Sequence, residues 1–326
     1  MQLKRYTWLF VLLFGWTAET VFGQQMPHFS MSPINKFQYN PAISAFENRL
    51  VLTGVHRDQW KAFPGAPSTQ LINGYMPLDF GVSAVGFNFM NDRIGLEKTV
   101  AFSLSYAHQI ETAYGPIALA LQLGGEQKSL DQSRLRTPGG TYDEDVPDHN
   151  DPLLGNDQIS SWAPVLGLSA WYAMRNMEFG LSVRQLSPTG HFSDDPLGYS
   201  IRPEVSLYAD YYYPLDGDWY VIPSLHIYTD FKQLQSLLHG KIGFQNQYFG
   251  GLGFRGLGSR NADAIVLMAG FRINENFTVY YNYDIGLSDI YRPSAQTHEF
   301  TITYRSAEWS SRRERPPVIY NPRFLE

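Results

Sequence analysis

The chain has 326 residues, a formal net charge of −6 and no cysteine. The missing cysteines exclude disulfides and thiolate-bound metals, and the acidic balance argues against nucleic acid as a partner. Charged residues make up 17% of the chain and aromatic residues 15%, whereas a soluble domain typically has about 25% charged residues. This composition favours an all-β protein, and it fits either a secreted sandwich or a membrane barrel.

Residues 1–23 have the features of an export signal. Lys4 and Arg5 give a basic start, an apolar stretch runs from Trp8 to Trp16, and Gly23 offers a cleavage site before Gln24. A single membrane anchor is the alternative, but the apolar stretch is about half of the roughly 20 residues that a spanning helix needs. We therefore expect a signal peptide, followed by a periplasmic segment over residues 24–48.

Residues 49–305 show repeated alternation of apolar and polar side chains. In the last strand, Phe300 and Ile302 fall on one face, and Glu299, Thr301 and Thr303 fall on the other. Patterns of this kind predict about fourteen strands: 49–57, 69–78, 80–91, 98–111, 115–126, 159–173, 176–184, 200–213, 218–230, 234–245, 247–256, 262–273, 277–286 and 297–305.

The predicted connections alternate between tight turns and longer loops. The tight ones lie near 77–80, 112–115, 174–176, 214–217, 245–247 and 274–276. Most of the others are longer, near 58–68, 91–97, 127–158, 185–199, 257–261 and 287–296, while 231–233 is an exception. This sorting is typical of a transmembrane antiparallel β-barrel with short periplasmic turns and longer extracellular loops, and a sandwich or propeller gives no reason for it. An even strand count is expected to leave both termini in the periplasm.

Residues 306–326 form a basic, proline-rich tail that includes Arg312, Arg313, Pro316 and Pro317. Such a segment does not enter lipid. We expect it on the periplasmic side, either disordered or docked on a partner through apolar residues such as Val318 and Phe324.

The chain offers little catalytic chemistry. The longest loop, 127–158, contains an acidic stretch over 143–157, whose carboxylates are Asp143, Glu144, Asp145, Asp148, Asp151 and Asp157. Their spacing does not match a calcium-binding EF-hand loop, so a solvated acidic loop is favoured over a calcium site. No paired histidine motif and no Gly-x-Ser-x-Gly motif is present, and we predict no catalytic, cofactor or metal site.

Charged side chains of both signs fall on the predicted inner face of the barrel: Arg184, Arg202, Glu204, Asp210, Asp284 and Glu299. Rings of a single sign would indicate an ion-selective pore. The mixed set favours a salt-bridged lumen, closed or plugged, over an open diffusion pore.

Several short motifs follow one another along the chain. They are Asn40-Pro41-Ala42, Arg57-Asp58-Gln59-Trp60, Phe63-Pro64-Gly65-Ala66-Pro67, Asn91-Asp92-Arg93-Ile94-Gly95, Tyr281-Asn282-Tyr283-Asp284-Ile285 and Thr297-His298-Glu299. In these motifs and their order, the chain resembles the PorP/SprF family of outer-membrane proteins, associated with type IX secretion and gliding motility in Bacteroidetes.

This resemblance implies a non-enzymatic outer-membrane barrel that works with the periplasmic ring and lipoproteins of the type IX system. Such a protein would support the export or surface anchoring of secreted proteins or adhesins. The alternative is an outer-membrane channel for small hydrophobic or polar solutes.

The first long loop is the candidate partner-facing element, and its residues are Arg57, Gln59, Trp60, Phe63, Pro64, Gly65 and Pro67. The other interpretation of these residues is structural: Gly65 and the prolines fix a tight loop, and Trp60 sits at the membrane interface.

Overall fold

A computed structural model describes residues 27–309 except 62, 79–81, 144–147, 153, 187–200, 257–262 and 288–295. The predicted signal peptide and the tail after residue 309 lie outside the described residues. The strands are β1 Val51–Asp58, β2 Ser68–Pro77, β3 Ser83–Ile94, β4 Glu97–Thr112, β5 Gly115–Asp131, β6 Gln158–Met174, β7 Met177–Leu186, β8 Glu204–Tyr211, β9 Tyr213–Pro214, β10 Trp219–Thr229, β11 Leu234–Phe244, β12 Tyr248–Arg255, β13 Ala264–Arg272, β14 Phe277–Gly286 and β15 Gln296–Arg305.

The strands form one closed antiparallel barrel. Each strand pairs with its neighbours in the sequence, and β15 pairs with β1 to close the ring. The two-residue β9 continues β8, because Asp210 opposite Ser224 and Tyr213 opposite Val221 belong to the same register on β10. The described residues therefore occupy fourteen strand positions, which confirms the predicted all-β barrel of about 14 strands.

Side chains alternate between the lumen and the outer surface. On β15, Glu299, Thr301 and Thr303 are buried, whereas Phe300 and Ile302 are exposed. The same alternation puts leucines of β4 and β5 on the outside and serines or alanines inside. An apolar outer band with a polar interior is the pattern of a barrel that crosses a lipid bilayer.

The two ends of the barrel differ in the length of the connections between strands. At the turn end, the connections are short: 78–82, 113–114, 175–176, 215–218, 245–247 and 273–276. At the loop end they are 59–67, 95–96, 132–157, 187–203, 230–233, 256–263 and 287–295. The loop end holds the longer segments, as the sequence predicted, with 95–96 and 230–233 as its short exceptions.

At the predicted loop 91–97 the strands run further than expected, as β5 also does by continuing to Asp131 rather than ending at 126. Asn91, Asp92 and Arg93 remain paired with β2, so β3 extends to Ile94 and only two residues join it to β4. Gly95 has a φ of +61°, which a glycine adopts without steric cost, and this permits so short a turn.

Aromatic side chains collect on the outside near the turn end. Ring pairs join neighbouring strands there, with centroids 4.5 Å apart for Trp219 and Phe244 and 5.0 Å apart for Phe277 and Tyr304. Tyr248 and Phe271 form a third pair at 5.4 Å. Aromatic girdles of this kind mark the membrane–water interface of outer-membrane barrels.

Residues 27–48, here called the plug, lie inside the barrel. Most of its side chains are buried, and its two short 3-10 helices are Lys36–Gln38 and Pro41–Phe46. The sequence predicts 24–48 as a periplasmic segment preceding the barrel; the structure instead packs residues 27–48 against the lumen wall. Local sequence does not predict this position, because the plug has no strand periodicity and is held by tertiary contacts with residues distant in sequence.

A search of the helices in the described residues found none with both the length and the apolar character needed to cross a membrane.

Candidate functional site in the barrel lumen

The plug enters the lumen from the turn end, where residue 50 precedes β1, and it reaches the loop end near residue 28. His28 stacks on Tyr228 at a centroid distance of 4.0 Å, and Tyr228 is the last but one residue of β10. Deeper in the lumen, Phe37 packs against Tyr75 near the turn end of β2, with ring centroids 4.8 Å apart. The plug therefore spans the lumen from one end to the other.

Asn40 fixes the middle of the plug. Its Oδ1 accepts a hydrogen bond of 3.1 Å from the backbone N–H of Ala42, which caps the helix that starts at Pro41. Its Nδ2 donates to the carbonyl oxygens of Ala170 and Leu181, at 3.0 and 3.1 Å. One side chain thus begins the helix and attaches it to β6 and β7.

A group of five residues, here called the Ser30 cluster, holds the plug at the loop end. Its members are Ser30, Arg57, Arg255, Asp284 and Glu299. The backbone N–H groups of Ser30 and Met31 donate to the Glu299 carboxylate at 2.9 and 2.7 Å. The Ser30 hydroxyl donates to Asp284 Oδ2 at 2.7 Å.

The charges of this cluster are balanced within the barrel wall. Arg57 donates to Glu299 at 2.8 Å and to Asp284 at 3.0 Å, and Arg255 donates to Asp284 at 3.1 Å. Two guanidinium groups thus face two carboxylates, and the plug adds only neutral donors and one hydroxyl. Charge-assisted hydrogen bonds of this kind are stronger than neutral ones.

Further polar contacts hold the plug to β7 and β8, near the turn end at Lys36 and near the loop ends of these strands at Arg184. Lys36 Nζ pairs with Glu178 at 2.6 Å and also contacts Asp210. Arg184 pairs with Glu204 and donates to the backbone oxygen of Gln38 at 2.8 Å.

Apolar side chains of the plug fill the spaces between these polar contacts. Ala42 and Ala45 pack on small residues of β4 and β5 and on Trp171 and Tyr208. Phe29 and Tyr39 form a second cluster with wall residues Val55, Leu71 and Met90. Met31 forms a third, and its wall partners include Tyr220 and Phe249.

Five of the six predicted lumen charges lie in buried ion pairs or beside them. Asp284 and Glu299 belong to the Ser30 cluster, Arg184 pairs with Glu204, and Asp210 meets Lys36. Arg202 lies apart at the loop end, with its Nη1 3.9 Å from Asp230. The sequence reasoning missed Arg255 and the plug residues Ser30 and Lys36.

Arg57 belongs to the lumen rather than to the loop in which it was placed. It lies on β1, only 2% exposed, on the same face as Val51, Thr53 and Val55. The alternation of that strand, continued by one more step, would have assigned it to the inner face.

The other candidate loop residues form a short folded segment at the loop end. Gln59 N donates to Pro67 O at 2.9 Å, and Phe63 N donates to Trp60 O at 2.9 Å. Gly65 has a φ of +76°, and its carbonyl accepts from Gly95 N at 2.8 Å. Pro64 and Gly65 line a cavity of about 540 Å³, and Phe63 is 41% exposed beside it.

No group of three or more His, Cys, Asp or Glu side chains arranged as for a metal ion occurs among the described residues. Within the acidic loop, Asp148 Oδ1 accepts from the backbone N–H of Asn150 at 2.9 Å. Glu144 and Asp145 lie outside the described residues, so the preference for a solvated loop remains a prediction.

Comparison with protein families matched residues 21–304 to the family described as type IX secretion system membrane protein PorP/SprF. No match was found among the curated proteins.

Solved structures similar to this chain are outer-membrane barrels of low sequence identity. Acinetobacter baumannii Omp33 has a TM-score of 0.49 at 9% identity, covering 80% of this chain and 100% of its own. The Ralstonia pickettii toluene transporter TbuX has a TM-score of 0.48 at 11% identity, covering 83% of this chain and 92% of its own. A Pseudomonas aeruginosa FadL homologue has a TM-score of 0.45 at 10% identity, covering 86% of this chain and 95% of its own.

Proposed function

We propose that this chain, which belongs to the PorP/SprF family of type IX secretion system membrane proteins, works in the outer membrane as a non-enzymatic component of that system. It supports the export or surface anchoring of secreted proteins or adhesins. The observation that carries the proposal is the family match, which extends over residues 21–304 and so includes both the plug and the barrel.

The plugged lumen supports a role in assembly rather than in continuous diffusion of solutes. Within the described residues, the plug fills the lumen from the loop end to the turn end and is held by charged and polar contacts. A pore that passes solutes at all times would need an open lumen. A protein partner at one of the two ends is the more natural ligand for such a barrel.

We orient the barrel with its turn end toward the periplasm, as in bacterial outer-membrane barrels. Residues 306–309 then lie on the periplasmic side, because Ser306 and Trp309 are hydrogen bonded to Leu50 and Asn48 at the base of the plug. The start of the plug at residue 27 then lies toward the cell surface; the expected periplasmic N-terminus precedes the described residues and stays a prediction. The periplasmic ring and lipoproteins would meet the turn end.

The secreted protein or adhesin would meet the loop end. There, Gln59, Trp60, Phe63, Pro64, Gly65 and Pro67 form the folded loop described above. Exposed Phe63 offers an apolar anchor, and the adjoining cavity of about 540 Å³ gives room for a partner side chain.

The test is a quantitative comparison of surface and secreted proteins in cells with and without the gene. Loss of one or a few large surface proteins would identify a dedicated export or anchoring partner. Loss of all type IX cargo would identify a general component of the system. An unchanged surface proteome, with the complementing protein present in the outer membrane, would refute the proposal.

A Phe63→Ser variant gives the sharper test of the loop. We expect normal insertion of this variant and reduced surface delivery of the same cargo. The matched control is Phe231→Ser, which changes an exposed phenylalanine in a different loop-end connection. Equal delivery by both variants would exclude the Phe63 loop as the contact.

A further inference from the structure

We infer that the plug is releasable, and that the wall behind it lines a passage for water and ions when the plug moves. This inference goes beyond the proposed role in secretion and does not depend on it. Four features of the lumen carry it.

The first feature is the polarity of the wall that the plug covers. Buried lumen residues include Asn73, Ser105, Ser206, His226, His239 and Thr303. A permanently packed core is made mainly of apolar side chains, because burying polar groups costs free energy. A wall of hydroxyl, amide and imidazole groups is instead suited to contact with water.

The second feature is a group of unsatisfied polar atoms next to the Ser30 cluster. Ser32 Oγ, both amide atoms of Asn282 and Thr301 Oγ1 are buried and have no hydrogen-bond partner among the described residues. Asn282 is the register partner of Glu299 on the neighbouring strand, so its amide lies immediately beside the cluster, and Ser32 and Thr301 are each two residues along the chain from a cluster member. Their burial costs free energy while the plug is in place, and that cost disappears when water reaches them.

The third feature is the way in which charge is divided between plug and wall. Arg57, Arg255, Asp284 and Glu299 all belong to strands, and they pair with one another without the plug. When Ser30 leaves, its hydrogen bonds are lost, including those that its hydroxyl accepts from Arg57 and Arg255, but these four wall charges keep one another as partners. Since an unpaired buried charge would be the largest penalty, this arrangement lowers the cost of releasing the loop-end part of the plug, whereas Lys36 would have to leave Glu178 and Asp210.

The fourth feature is a fixed point at the base of the plug. Asn48 donates to Trp309 O at 2.7 Å, Arg49 pairs with Glu308, and Ser306 N donates to Leu50 O at 2.9 Å. These contacts hold residues 48–50 at the turn end. The plug can therefore leave its site while its base remains attached to the barrel.

Current through single molecules of the purified full-length chain in planar lipid bilayers tests the inference. Two variants weaken the plug by different means. Ser30→Ala removes the hydroxyl bound to Asp284, and Gly86→Ala adds a methyl group whose carbon would lie 2.5 Å from the ring of Phe37. Gly240→Ala is the matched control, because its added carbon meets nothing nearer than 4.0 Å.

We expect Ser30→Ala and Gly86→Ala each to raise the fraction of time in a conducting state about tenfold over wild type, as a shift in a two-state equilibrium. Gly240→Ala is expected to behave as wild type. Folding is verified first by heat-modifiable migration in gels. If Gly86→Ala does not fold, Ser30→Ala alone decides, since it only removes an oxygen atom.

A cross-link provides the second test, and a chain without cysteine gives no background labelling. Asn73 Nδ2 lies 3.3 Å from Asn35 Oδ1, so cysteines at these two positions join plug to wall through a short, reducible bifunctional thiol reagent. In the Ser30→Ala background, the cross-link is expected to abolish the added current, and reduction to restore it. Folded variants with wild-type current, or a current that the cross-link does not change, would overturn the inference.

Discussion

Arg57 and Glu299 face each other in register across the β1–β15 pair, and a hydrogen bond of 2.8 Å joins Arg57 Nη1 to Glu299 Oε2. Their side chains are 2% and 0% exposed. The pair therefore joins the first strand to the last strand inside the lumen, at the point where the plug also binds.

Removal of both members of this pair is expected to cost less than the sum of the two single removals. Arg57→Met leaves a carboxylate buried without its partner, and we expect a loss of about 3–5 kcal/mol in the free energy of unfolding. In Arg57→Met combined with Glu299→Gln, the loss should be about 1–3 kcal/mol smaller than the sum of the two single losses. Denaturant unfolding in lipid vesicles measures these losses in free energy, and Arg93→Met, at an exposed arginine, is the control. A double-variant loss equal to the sum of the single losses would contradict direct pairing.

The loop at residues 59–67 depends on the backbone of Gly65. Gly65→Ala places a Cβ 3.1 Å from Gly95 Cα at a φ of +76°, and we expect it to destabilise the loop by about 1–2 kcal/mol. The expected readout is faster proteolysis within the loop of the folded barrel. Gly54→Ala, whose added carbon would lie 3.5 Å from Ile302, is the matched control and should leave the loop as resistant as wild type.

Asn40 gives a way to separate helix capping from attachment to the wall. Asn40→Asp keeps the oxygen that caps Ala42 but sets carboxylate oxygens against the carbonyls of Ala170 and Leu181. Asn40→Ala loses all three bonds without adding repulsion, at a cost of about 1–2 kcal/mol. Amide hydrogen exchange over residues 41–46 should be slowest in wild type, faster in Asn40→Ala and fastest in Asn40→Asp. Slower exchange in Asn40→Asp than in Asn40→Ala would show that the capping bond contributes more than attachment to the wall.

Single cysteines report which end of the barrel faces the cell surface. Phe231, in the loop-end connection 230–233, is 75% exposed, and Tyr114, in a turn-end connection, is 85% exposed. An impermeant maleimide should label Phe231→Cys in intact cells, but Tyr114→Cys only after the outer membrane is permeabilised. The opposite pattern would reverse the orientation that we propose.

Lipid-facing positions should show a dependence on depth. Leu121, near the middle of β5, is 46% exposed, and Gln127 lies on the same outward face toward the loop end. Leu121→Arg is expected to cost about 2–4 kcal/mol of folding free energy in a bilayer, and Gln127→Arg about 0–1 kcal/mol. Denaturant titration in vesicles measures both, and equal costs would mean that β5 does not cross the bilayer as described.

The strands were predictable because lipid and lumen impose opposite demands on successive side chains. On β15, for example, Phe300 and Glu299 could not exchange faces without burying a charge in lipid. The segments predicted at 49–57, 69–78 and 234–245 are strands in the structure, at Val51–Asp58, Ser68–Pro77 and Leu234–Phe244. The turn at Gly95 was missed because polar Asn91 and Arg93 resemble a loop, although both continue β3 on its outer face.

The plug was not predictable from local sequence. Asn40, Pro41 and Ala42 indicate a capped turn, but nothing in them specifies that Asn40 reaches β6 and β7, about 130 and 141 residues away. The lumen charges could be found by alternation, whereas their partners in the plug could not. For Arg57, alternation along β1 predicts the inner face, but nothing in the local sequence predicts its contact with Ser30.

The pairing of β1 with β15 also constrains the order of assembly. The plug precedes β1 in the chain, and β15 is the last strand, so the contacts of Ser30 with Glu299 span 269 residues. Contacts of such separation are costly in chain entropy and are expected to form late. The Ser30 cluster therefore gives the seam its final hydrogen bonds. Because Glu299 pairs with Arg57 across the seam and also accepts from Ser30 and Met31, closure of the barrel and seating of the plug are expected to be coupled during biogenesis.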